Sequence, residues 1–415
     1  MTCRLAVPAF AFVVASACDG SEPTSPAATL RFVATGPVIA FVGVNVIPMD
    51  AELVLPDQIV VVEHGRIALV GSTAAVQVPA NATQVDGRGR YLIPGLADMH
   101  AHVHDAQRDL FVPAGITTVR NLWGVPGMLE FAAATHDPLS TTDPSVVAWP
   151  SVYSASPGVD GSPPTWNFTR EINNPEDAEG VVDELAREGW AFLKLYNRLS
   201  LDTYDAIADA ADARGIRFGG HVPWAVSLDH VLARGHAFIE HLTGYDRALG
   251  APGLPPSSWA YVDQSLAGEL AAHTAQAGTW NCPTLVVTNA IGRRWLAPDE
   301  FNRSVSARRA MVRALRDAGA GLLAGTDAGT DYIQAGMSLH DELAEFVAAG
   351  LTPFEALRAA TSEAARFLEL EGEFGMIVQG SRADLVLLDA NPLDDIGNTR
   401  RIAGVMVRGR WLARQ

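Results

Sequence analysis

Hydrophobic and polar positions are arranged in short runs at both ends of the chain and follow a different rhythm in the middle. The runs "FVGVNVIPMD" and "QIVVVEHGRIALVG" near the amino terminus are rich in β-branched residues and are broken by Gly, Pro and Asp. The runs "SRADLVLLDA" and "RIAGVMVRGRWLA" near the carboxyl terminus have the same character. This pattern is typical of antiparallel strands joined by tight turns. We therefore expect a small β-sandwich domain built from both termini, over residues 31–93 and 373–415.

Between these ends, a helical stretch that ends in glycine is followed six times by a short apolar run that ends in a polar residue. The six instances are "PAG-ITTVRN", "REG-WAFLKLY", "ARG-IRFGGH", "ARG-HAFIEH", "QAG-TWNCPT" and "AGAG-LLAGTD". Glycine at this position can adopt the left-handed conformation that ends a helix, and a continuous apolar run suits a strand covered on both faces. Strands at "LADMHAH" and "PSVYSAS" bring the count to eight. Residues 94–372 are therefore predicted to form a (β/α)8 TIM barrel, which makes this an α/β protein.

The polar residues that close the predicted barrel strands are the candidates for chemistry, because active sites of such barrels lie at the carboxyl ends of the strands. These residues are His100 and His102 on the first strand, Lys194 on the fourth, His221 on the fifth, His241 on the sixth and Asp327 on the eighth. His100 and His102 occupy alternate positions, so their side chains leave a strand on the same side. Imidazole and carboxylate groups that converge in this way indicate a site for a divalent metal.

The overall charge restricts the class of partner. The chain has 30 Lys plus Arg against 47 Asp plus Glu, which gives a formal net charge of -17. This charge repels a phosphate backbone, and no basic stripe offsets the repulsion. We therefore expect a small-molecule substrate and no nucleic acid, and leave open whether the chain forms a homo-oligomer.

The first residues have the three-part layout of a secretory signal. One arginine, Arg4, precedes the apolar run "LAVPAFAFVV", and small residues precede Cys18. The apolar run is too short to span a bilayer. The segment "ASAC" followed by "DGSEPTSPAAT" resembles a bacterial lipoprotein signal. The resemblance implies a signal peptide over residues 1–17, a lipid anchor at Cys18, a linker over residues 18–30 and an exported protein in the bacterial cell envelope, at the periplasm or the cell surface.

Eight segments, in the same order along the chain, resemble the amidohydrolase superfamily and especially its imidazolonepropionase-like and prolidase-like hydrolases. They are "IPGLADMHAH", "GITTVRNL", "FLKLY", "GHV", "FIEHL", "LLAGTDAG", "LTPFEALRAAT" and "GSRADLVLLDANPLDDI". Three features depart from the usual pattern: Asn121 stands where relatives often have aspartate, "GGHVPW" replaces a commoner His-Ala, and His104 is an extra histidine. The resemblance implies that His100 and His102 are a pair of metal ligands.

The resemblance also implies two divalent metal ions, with Lys194 carboxylated by carbon dioxide so that its carbamate bridges them. His100, His102 and Asp327 would hold one ion, and His221 and His241 the other. Zinc is the default for nitrogen and oxygen ligands, and manganese, cobalt or iron would fit as well. A hydroxide between the metals would attack the carbonyl, and Asp327 would be the catalytic residue that moves the proton to the leaving nitrogen.

The implied function is a metal-dependent amidohydrolase that cleaves a C–N bond in a dipeptide, an N-acyl amino acid or a cyclic amide. His104, Tyr153 and Tyr196 are expected on the substrate side, with Tyr153 at the end of the third strand and Tyr196 just past Lys194. An arginine in the barrel mouth is expected to bind a substrate carboxylate, the candidates being Arg120, Arg170, Arg198 and Arg247. Two alternatives stay open. The same binuclear site could cleave a lactone, an ester or a phosphoester, or the chain could be a non-catalytic surface lipoprotein that binds metal or solute.

Overall fold

The structure is a computed structural model that describes residues 30–32, 37–136, 148–253 and 255–414. The predicted signal peptide, nearly all of the predicted linker and Cys18 lie outside these residues. The predictions of an exported protein and of a lipid anchor therefore stay predictions.

The described residues contain seventeen strands that form two sheets. The strands are β1 (Leu30–Phe32), β2 (Val38–Val46), β3 (Leu55–Glu63), β4 (Arg66–Ser72), β5 (Thr83–Asp86), β6 (Tyr91–Pro94), β7 (Leu96–Ala101), β8 (Ile116–Asn121), β9 (Ser151–Asp160), β10 (Arg170–Glu171), β11 (Phe192–Leu195), β12 (Phe218–Gly220), β13 (Phe238–Glu240), β14 (Trp280–Cys282), β15 (Leu385–Leu388), β16 (Ile402–Val407) and β17 (Arg410–Arg414). One sheet is the barrel, and the other is a mixed sheet made from both ends of the chain.

Eleven α-helices are found in the described part of the chain, most of them between barrel strands. They are α1 (Met128–His136), α2 (Ala178–Glu188), α3 (Leu201–Arg214), α4 (Leu228–Ala233), α5 (Tyr245–Ala248), α6 (Ala267–Ala277), α7 (Leu285–Trp295), α8 (Pro298–Asp317), α9 (Ser338–Ala349), α10 (Pro353–Ala359) and α11 (Ser362–Phe367). Among the described residues, no helix combines the length and the apolar character that crossing a membrane requires.

Seven parallel strands and one irregular segment form the barrel. The strands pair in the order β14, β13, β12, β11, β9, β8 and β7. Residues 321–328 close the ring between its two edges: Leu323 N–H donates to the carbonyl of Asn281 at 2.8 Å, and Met99 N–H donates to that of Ala324 at 2.9 Å. The predicted (β/α)8 barrel is therefore confirmed.

The glycine that follows a helix acts as the repeated pattern predicts. Helix α3 ends at Gly215, which has a φ of 65° and whose N–H bonds to the carbonyls of Ala211 and Asp212. This left-handed conformation is accessible to glycine without the steric cost that a Cβ brings. The chain then turns into β12, whose three residues are all buried. The first repeat differs, because only a short 3-10 helix, Val112–Ala114, precedes its glycine.

The mixed sheet joins the two ends of the chain. Its strand order is β1, β17, β16, β15, β6, β2, β3 and β4, and β5 pairs with β2. β15 pairs with β6 in antiparallel fashion, and Trp411 packs edge to face on Phe41 with ring centroids 5.1 Å apart. The predicted small β domain built from both termini is therefore confirmed. Arg408 of this domain donates to Ser151 at 3.1 Å, at the start of barrel strand β9.

Candidate metal centre

The structure places all six predicted ligands at the carboxyl ends of barrel strands. His100 lies in β7 and Lys194 in β11, His221 and His241 directly follow β12 and β13, His102 follows β7, and Asp327 lies in the closing segment. Parallel strands of a closed barrel bring these ends onto one rim. The six side chains are therefore neighbours in space although up to 227 positions separate them along the chain.

Five of these side chains approach one another closely. Asp327 Oδ1 is 2.9 Å from His102 Nε2 and 3.3 Å from His100 Nε2. The ring centroids of His100 and His241 are 4.6 Å apart, and those of His241 and His221 are 5.0 Å apart. Lys194 lies on β11, the strand that pairs with β12. Its aliphatic chain packs against the backbone of Gly220, the residue that precedes His221. The candidate ligands thus surround one polar centre.

Two of the candidate ligands have a strained backbone. His241 has a φ of 58° and Asp327 a φ of 59°, in the left-handed region that residues with a Cβ seldom adopt. Both conformations are held by hydrogen bonds: His241 N–H donates to the carbonyl of Cys282 at 3.0 Å, and Asp327 N–H donates to that of His100 at 2.7 Å. Such strain is concentrated at functional sites. Here both residues lie just past the ends of their strands, and their side chains contact the neighbouring candidate ligand His100.

Three imidazoles have their Nδ1 atoms fixed by polar partners. His221 Nδ1 is 2.8 Å from Asn197 Oδ1, and His241 Nδ1 is 2.6 Å from Thr284 Oγ1. His100 Nδ1 is 2.6 Å from Glu240 Oε2. Partners of this kind fix the tautomer and orientation of metal-binding histidines. They leave the Nε2 atoms available to the common centre.

Glu240 is supported in turn by a buried arginine. Arg120 donates through a terminal nitrogen to Glu240 Oε1 at 2.5 Å and through Nε to the carbonyl of Met99 at 2.6 Å. Its guanidinium also lies 4.7 Å from the centroid of the Phe238 ring. Arg120 and Glu240 are both 0% exposed, so this arginine is not available to a substrate carboxylate. The interpretation of Arg120 as a substrate-binding candidate is therefore wrong.

Sequence reasoning missed Glu240, Asn197 and Thr284. Glu240 precedes a predicted ligand in the run "FIEH", and a carboxylate inside a buried apolar run was a signal that could have found it. Asn197 and Thr284 lie in loops, where polar residues are common and carry no such signal.

Glu240→Gln is expected to lower metal affinity about 10- to 100-fold, the usual size for the loss of a group that orients a metal ligand. The amide keeps a hydrogen-bond acceptor but has no charge to raise the basicity of the His100 ring. Dialysis against a graded series of chelator concentrations, followed by elemental analysis, measures the effect. Asp246→Asn is the matched control, because Asp246 is equally buried and bonds to Ser258. Equal metal retention by the two variants would refute the role of Glu240.

The protonation states of His221, His241 and Asp327 suit a metal, whereas His100 must lose a proton to bind one. Burial lowers the pKa of His100, but Glu240 and Asp327 outweigh burial and raise it. Burial lowers the pKa of His241 to about 3 and also lowers that of His221, so both rings are neutral and carry a free electron pair. Burial alone would raise the pKa of Asp327, but His100 and His102 hold it well below its usual range. Burial lowers the pKa of Lys194 to about 8. Within the described residues, the Lys194 Nζ atom is buried and has no hydrogen-bond partner.

Among the residues that the structure describes, two groups of potential ligands have atoms close enough to hold an ion. His100, His102 and Asp327 form one group, and His100, Glu240 and Cys282 form the other. In the second group Glu240 is already paired with Arg120, and burial raises the pKa of the Cys282 thiol, which disfavours the thiolate that binds metal. The first group is therefore the better candidate, and its residues fit a divalent cation.

Tyr153 does not lie where the sequence predicted. It is the third residue of the ten-residue strand β9, whereas Gly158, five residues further on, is level with Lys194. Its ring packs on His136 with centroids 4.6 Å apart. The prediction that Tyr153 closes the third strand is wrong, because the strand runs to Asp160, which leaves Tyr153 near its amino end.

The other two residues expected on the substrate side lie past the strand ends. Tyr196 follows β11 and packs on His221 with centroids 4.1 Å apart. Its hydroxyl accepts a hydrogen bond from Trp166 Nε1 at 2.7 Å. His104 is exposed in the turn after β7. Their contacts with a substrate stay predictions.

Residues 91–412 match the model of the amidohydrolase family, and the chain belongs to this family. The match confirms the predicted family, and with it the prediction of a hydrolase that acts on carbon–nitrogen bonds.

Two curated relatives resemble most of the chain. The chain is 28% identical over 358 residues to an imidazolonepropionase of Mycolicibacterium smegmatis, and this alignment covers 81% of the chain and 85% of the relative. It is 24% identical over 385 residues to adenine deaminase 3 of Rhizobium meliloti, covering 87% of this chain but 55% of that longer relative.

Solved structures agree with the fold. The bottromycin amidohydrolase superimposes with a TM-score of 0.72 at 27% identity, over 91% of this chain and 87% of that one. A Xaa-Pro dipeptidase superimposes with a TM-score of 0.70 at 18% identity, over 91% of this chain and 100% of that one. The second likeness concerns the fold alone.

Proposed function

We propose that the chain is a metal-dependent hydrolase of a small-molecule amide, of the dipeptide, N-acyl amino acid or cyclic amide class. The observation that carries the proposal is the convergence of four histidines, one aspartate and one lysine on the catalytic rim of an amidohydrolase barrel. Each residue type is a metal ligand or becomes one by a simple reaction.

In the proposed site, His100, His102 and Asp327 hold one divalent ion, and His221 and His241 hold the second. Zinc suits this set of nitrogen and oxygen ligands, as do manganese, cobalt and iron. When bound, such ions supply water activated near neutral pH and polarise a carbonyl. The chain itself supplies the orientation, because Glu240, Asn197 and Thr284 fix the three imidazoles.

Lys194 supports a bridged site in two ways. It is the single lysine of the sequence, against 29 arginines, so a chain that otherwise uses arginine for positive charge has a lysine at this strand end. Its side chain is 1% exposed, and a buried ammonium between imidazoles would be costly. In the proposed reaction the neutral amine attacks carbon dioxide, a C–N bond forms, and one proton is released. The resulting carbamate has two oxygens and a negative charge.

Asp327 is proposed to move the proton during the reaction. Its carboxylate is ionised and lies against His100 and His102, so it is held at the reacting centre. It accepts the proton of the attacking water and passes it to the leaving nitrogen as the C–N bond breaks. No further acid is required, because the same proton is taken up and released.

Purified protein grown with ample metal is expected to contain about two divalent ions per chain and to hydrolyse an amide. Elemental analysis gives the metal content, and a screen of acyl-amino acids, dipeptides, cyclic amides, esters, lactones and phosphoesters identifies the bond. Chelation should abolish turnover, and the added metal should restore it. One ion or fewer per chain would refute the binuclear site, and cleavage of lactones or phosphoesters without amides would replace the proposed bond.

The amino-terminal residues support a separate proposal, that the protein is exported and anchored by lipid at Cys18. Small residues precede this cysteine and a polar, Pro-rich segment follows it. Cys18→Ser is expected to move the protein from the membrane fraction to the soluble fraction of cells that produce the full chain. Cys3→Ser is the control, because Cys3 would be removed with the signal peptide. A Cys18→Ser protein that still sediments with membranes would refute the anchor.

A further inference from the structure

Four aromatic side chains line the rim beside the candidate metal centre. We call Trp123, Trp166, Tyr196 and Trp224 the aromatic wall. Tyr196 stacks on the candidate ligand His221, accepts a hydrogen bond from Trp166 Nε1 at 2.7 Å, and meets Trp123 edge to face with centroids 5.4 Å apart. The wall therefore continues from a metal ligand outward toward solvent.

Two of the loops that carry the wall, those of Trp166 and Tyr196, are tied together by one buried carboxylate. Asp160 ends β9 and is 0% exposed. Its Oδ2 accepts from Thr165 N–H at 3.1 Å, next to Trp166, and its Oδ1 accepts from Arg198 N–H at 2.6 Å, two residues after Tyr196. This shared acceptor holds the third and fourth strand-end loops in a fixed relation, so their side chains are preorganised.

Trp123 and Trp224 are also fixed by the backbone. The ring of Trp123 covers Gly158 so closely that a Cβ there would lie 2.1 Å from it. Trp224 N–H donates to the carbonyl of Asn197 at 2.8 Å, and the side chain of Asn197 contacts His221. The Trp123 ring and the backbone of Trp224 therefore lie on the same rim as the candidate ligands, and the Trp224 ring faces the Arg198 guanidinium at 5.5 Å.

The outer half of the wall is open to solvent. Trp166 is 49% exposed and Trp224 is 46% exposed, although tryptophan is normally well buried. An ordered, half-exposed aromatic surface that adjoins a reactive centre is characteristic of a binding site for an apolar group. The exposed part of Trp166 is therefore the surface against which a ring of the substrate is proposed to pack.

Arg198 adds a positive charge at the same place. Its guanidinium lies 5.5 Å from the centroid of the Trp224 ring, and the residue is exposed. Among the described residues, no carboxylate lies within ion-pair distance of it. The other arginines considered for this role are engaged: Arg170 pairs with Glu184, and Arg247 donates to the carbonyls of Pro223 and Val226. Arg198 is therefore the cation available to a substrate anion.

We infer that the aromatic wall and Arg198 select amide substrates that carry an aromatic ring and a free carboxylate, as an N-acylated aromatic amino acid or a dipeptide with an aromatic residue does. The ring packs against Trp166, the carboxylate pairs with Arg198, and the amide between them is presented to the centre beside His221. This inference rests on the proposed function, since it names the substrate class for the same site.

Binding of two non-hydrolysable dicarboxylates to the metal-loaded protein tests the wall. 2-Benzylsuccinate and 2-methylsuccinate have the same two carboxylates and differ in the ring, so contributions from metal and Arg198 cancel in the ratio of their dissociation constants. Calorimetry is expected to show that 2-benzylsuccinate binds at least about tenfold more tightly, from ring stacking and burial together. Trp166→Ala should reduce this ratio to about threefold or less. Arg198→Gln should weaken both ligands and leave the ratio unchanged.

Trp295→Ala is the matched control, because Trp295 is 57% exposed, ends helix α7 and has the guanidinium of Arg294 from its own helix 5.5 Å from its ring. This variant should keep the wild-type ratio. A ratio near one in the wild type, failure of both ligands to bind, or a ratio unchanged by Trp166→Ala in a protein with a normal melting temperature would overturn the inference. These outcomes are distinct from failure of the proposed function, which would be absence of metal or of amide hydrolysis.

Discussion

Asp327→Asn is expected to lower turnover at least about 100-fold, the size usual for the loss of a general base, while most of the metal stays bound. The amide oxygen of asparagine can still contact a cation where the carboxylate oxygen lies against His100 and His102. It cannot accept the proton of the attacking water, so chemistry and metal binding separate in this variant. Steady-state rates and elemental analysis of the same preparation measure both quantities.

Asp331→Asn is the control for this experiment. Asp331 is an exposed aspartate four residues further along the same loop, so the chemical change is the same and the candidate centre is untouched. The control should keep its rate and its metal. An Asp327→Asn protein with near-normal turnover would exclude Asp327 from proton transfer, and one that lost all of its metal would show that Asp327 acts chiefly as a ligand.

Lys194→Ala is expected to lower metal content and turnover together, because the proposed carbamate of Lys194 would be a ligand for both ions and the substitution would remove it from both. Short carboxylic acids such as acetate or propionate should restore part of both, since they supply a carboxylate to the vacated volume. Lys194→Arg should lose metal as well, although it keeps the positive charge, because a guanidinium does not deprotonate to the amine that reacts with carbon dioxide. Near-normal metal and rate in Lys194→Ala would refute the bridge.

The composition of the chain permits a direct test of the carbamate. Because Lys194 is the single lysine, ¹³C-labelled bicarbonate can label one side-chain amine at most. A carbamate resonance in the metal-loaded wild type that is absent from Lys194→Arg would assign the modification to this residue. The α-amino group would be labelled equally in both proteins, so it cannot account for a difference. Identical spectra would exclude carboxylation of Lys194.

Local patterns in the sequence were sufficient to predict the barrel and the rim. The repeated helix, glycine and apolar run predicted the αβ steps, and each polar residue that closes a run was predicted to lie on the same face as the others. This works because glycine at a helix end and a run of buried residues are properties of neighbouring positions. A prediction from local pattern fails where a strand is longer than its apolar run suggests. Tyr153 is an example: it was predicted at the end of the third strand, but β9 continues through Ser156 and Gly158 to Asp160.

Neighbouring residues were therefore enough to predict the fold class, the family and the candidate ligands, whereas the residues that support those ligands are known only from the folded chain. Glu240 meets His100 across 140 positions and Arg120 across 120 positions, and neither pairing has a local signal. The aromatic wall likewise depends on Trp166 meeting Tyr196 across a loop held by Asp160. Such contacts are fixed only when the ring of strands closes, because closure brings loops that are distant in sequence to one edge.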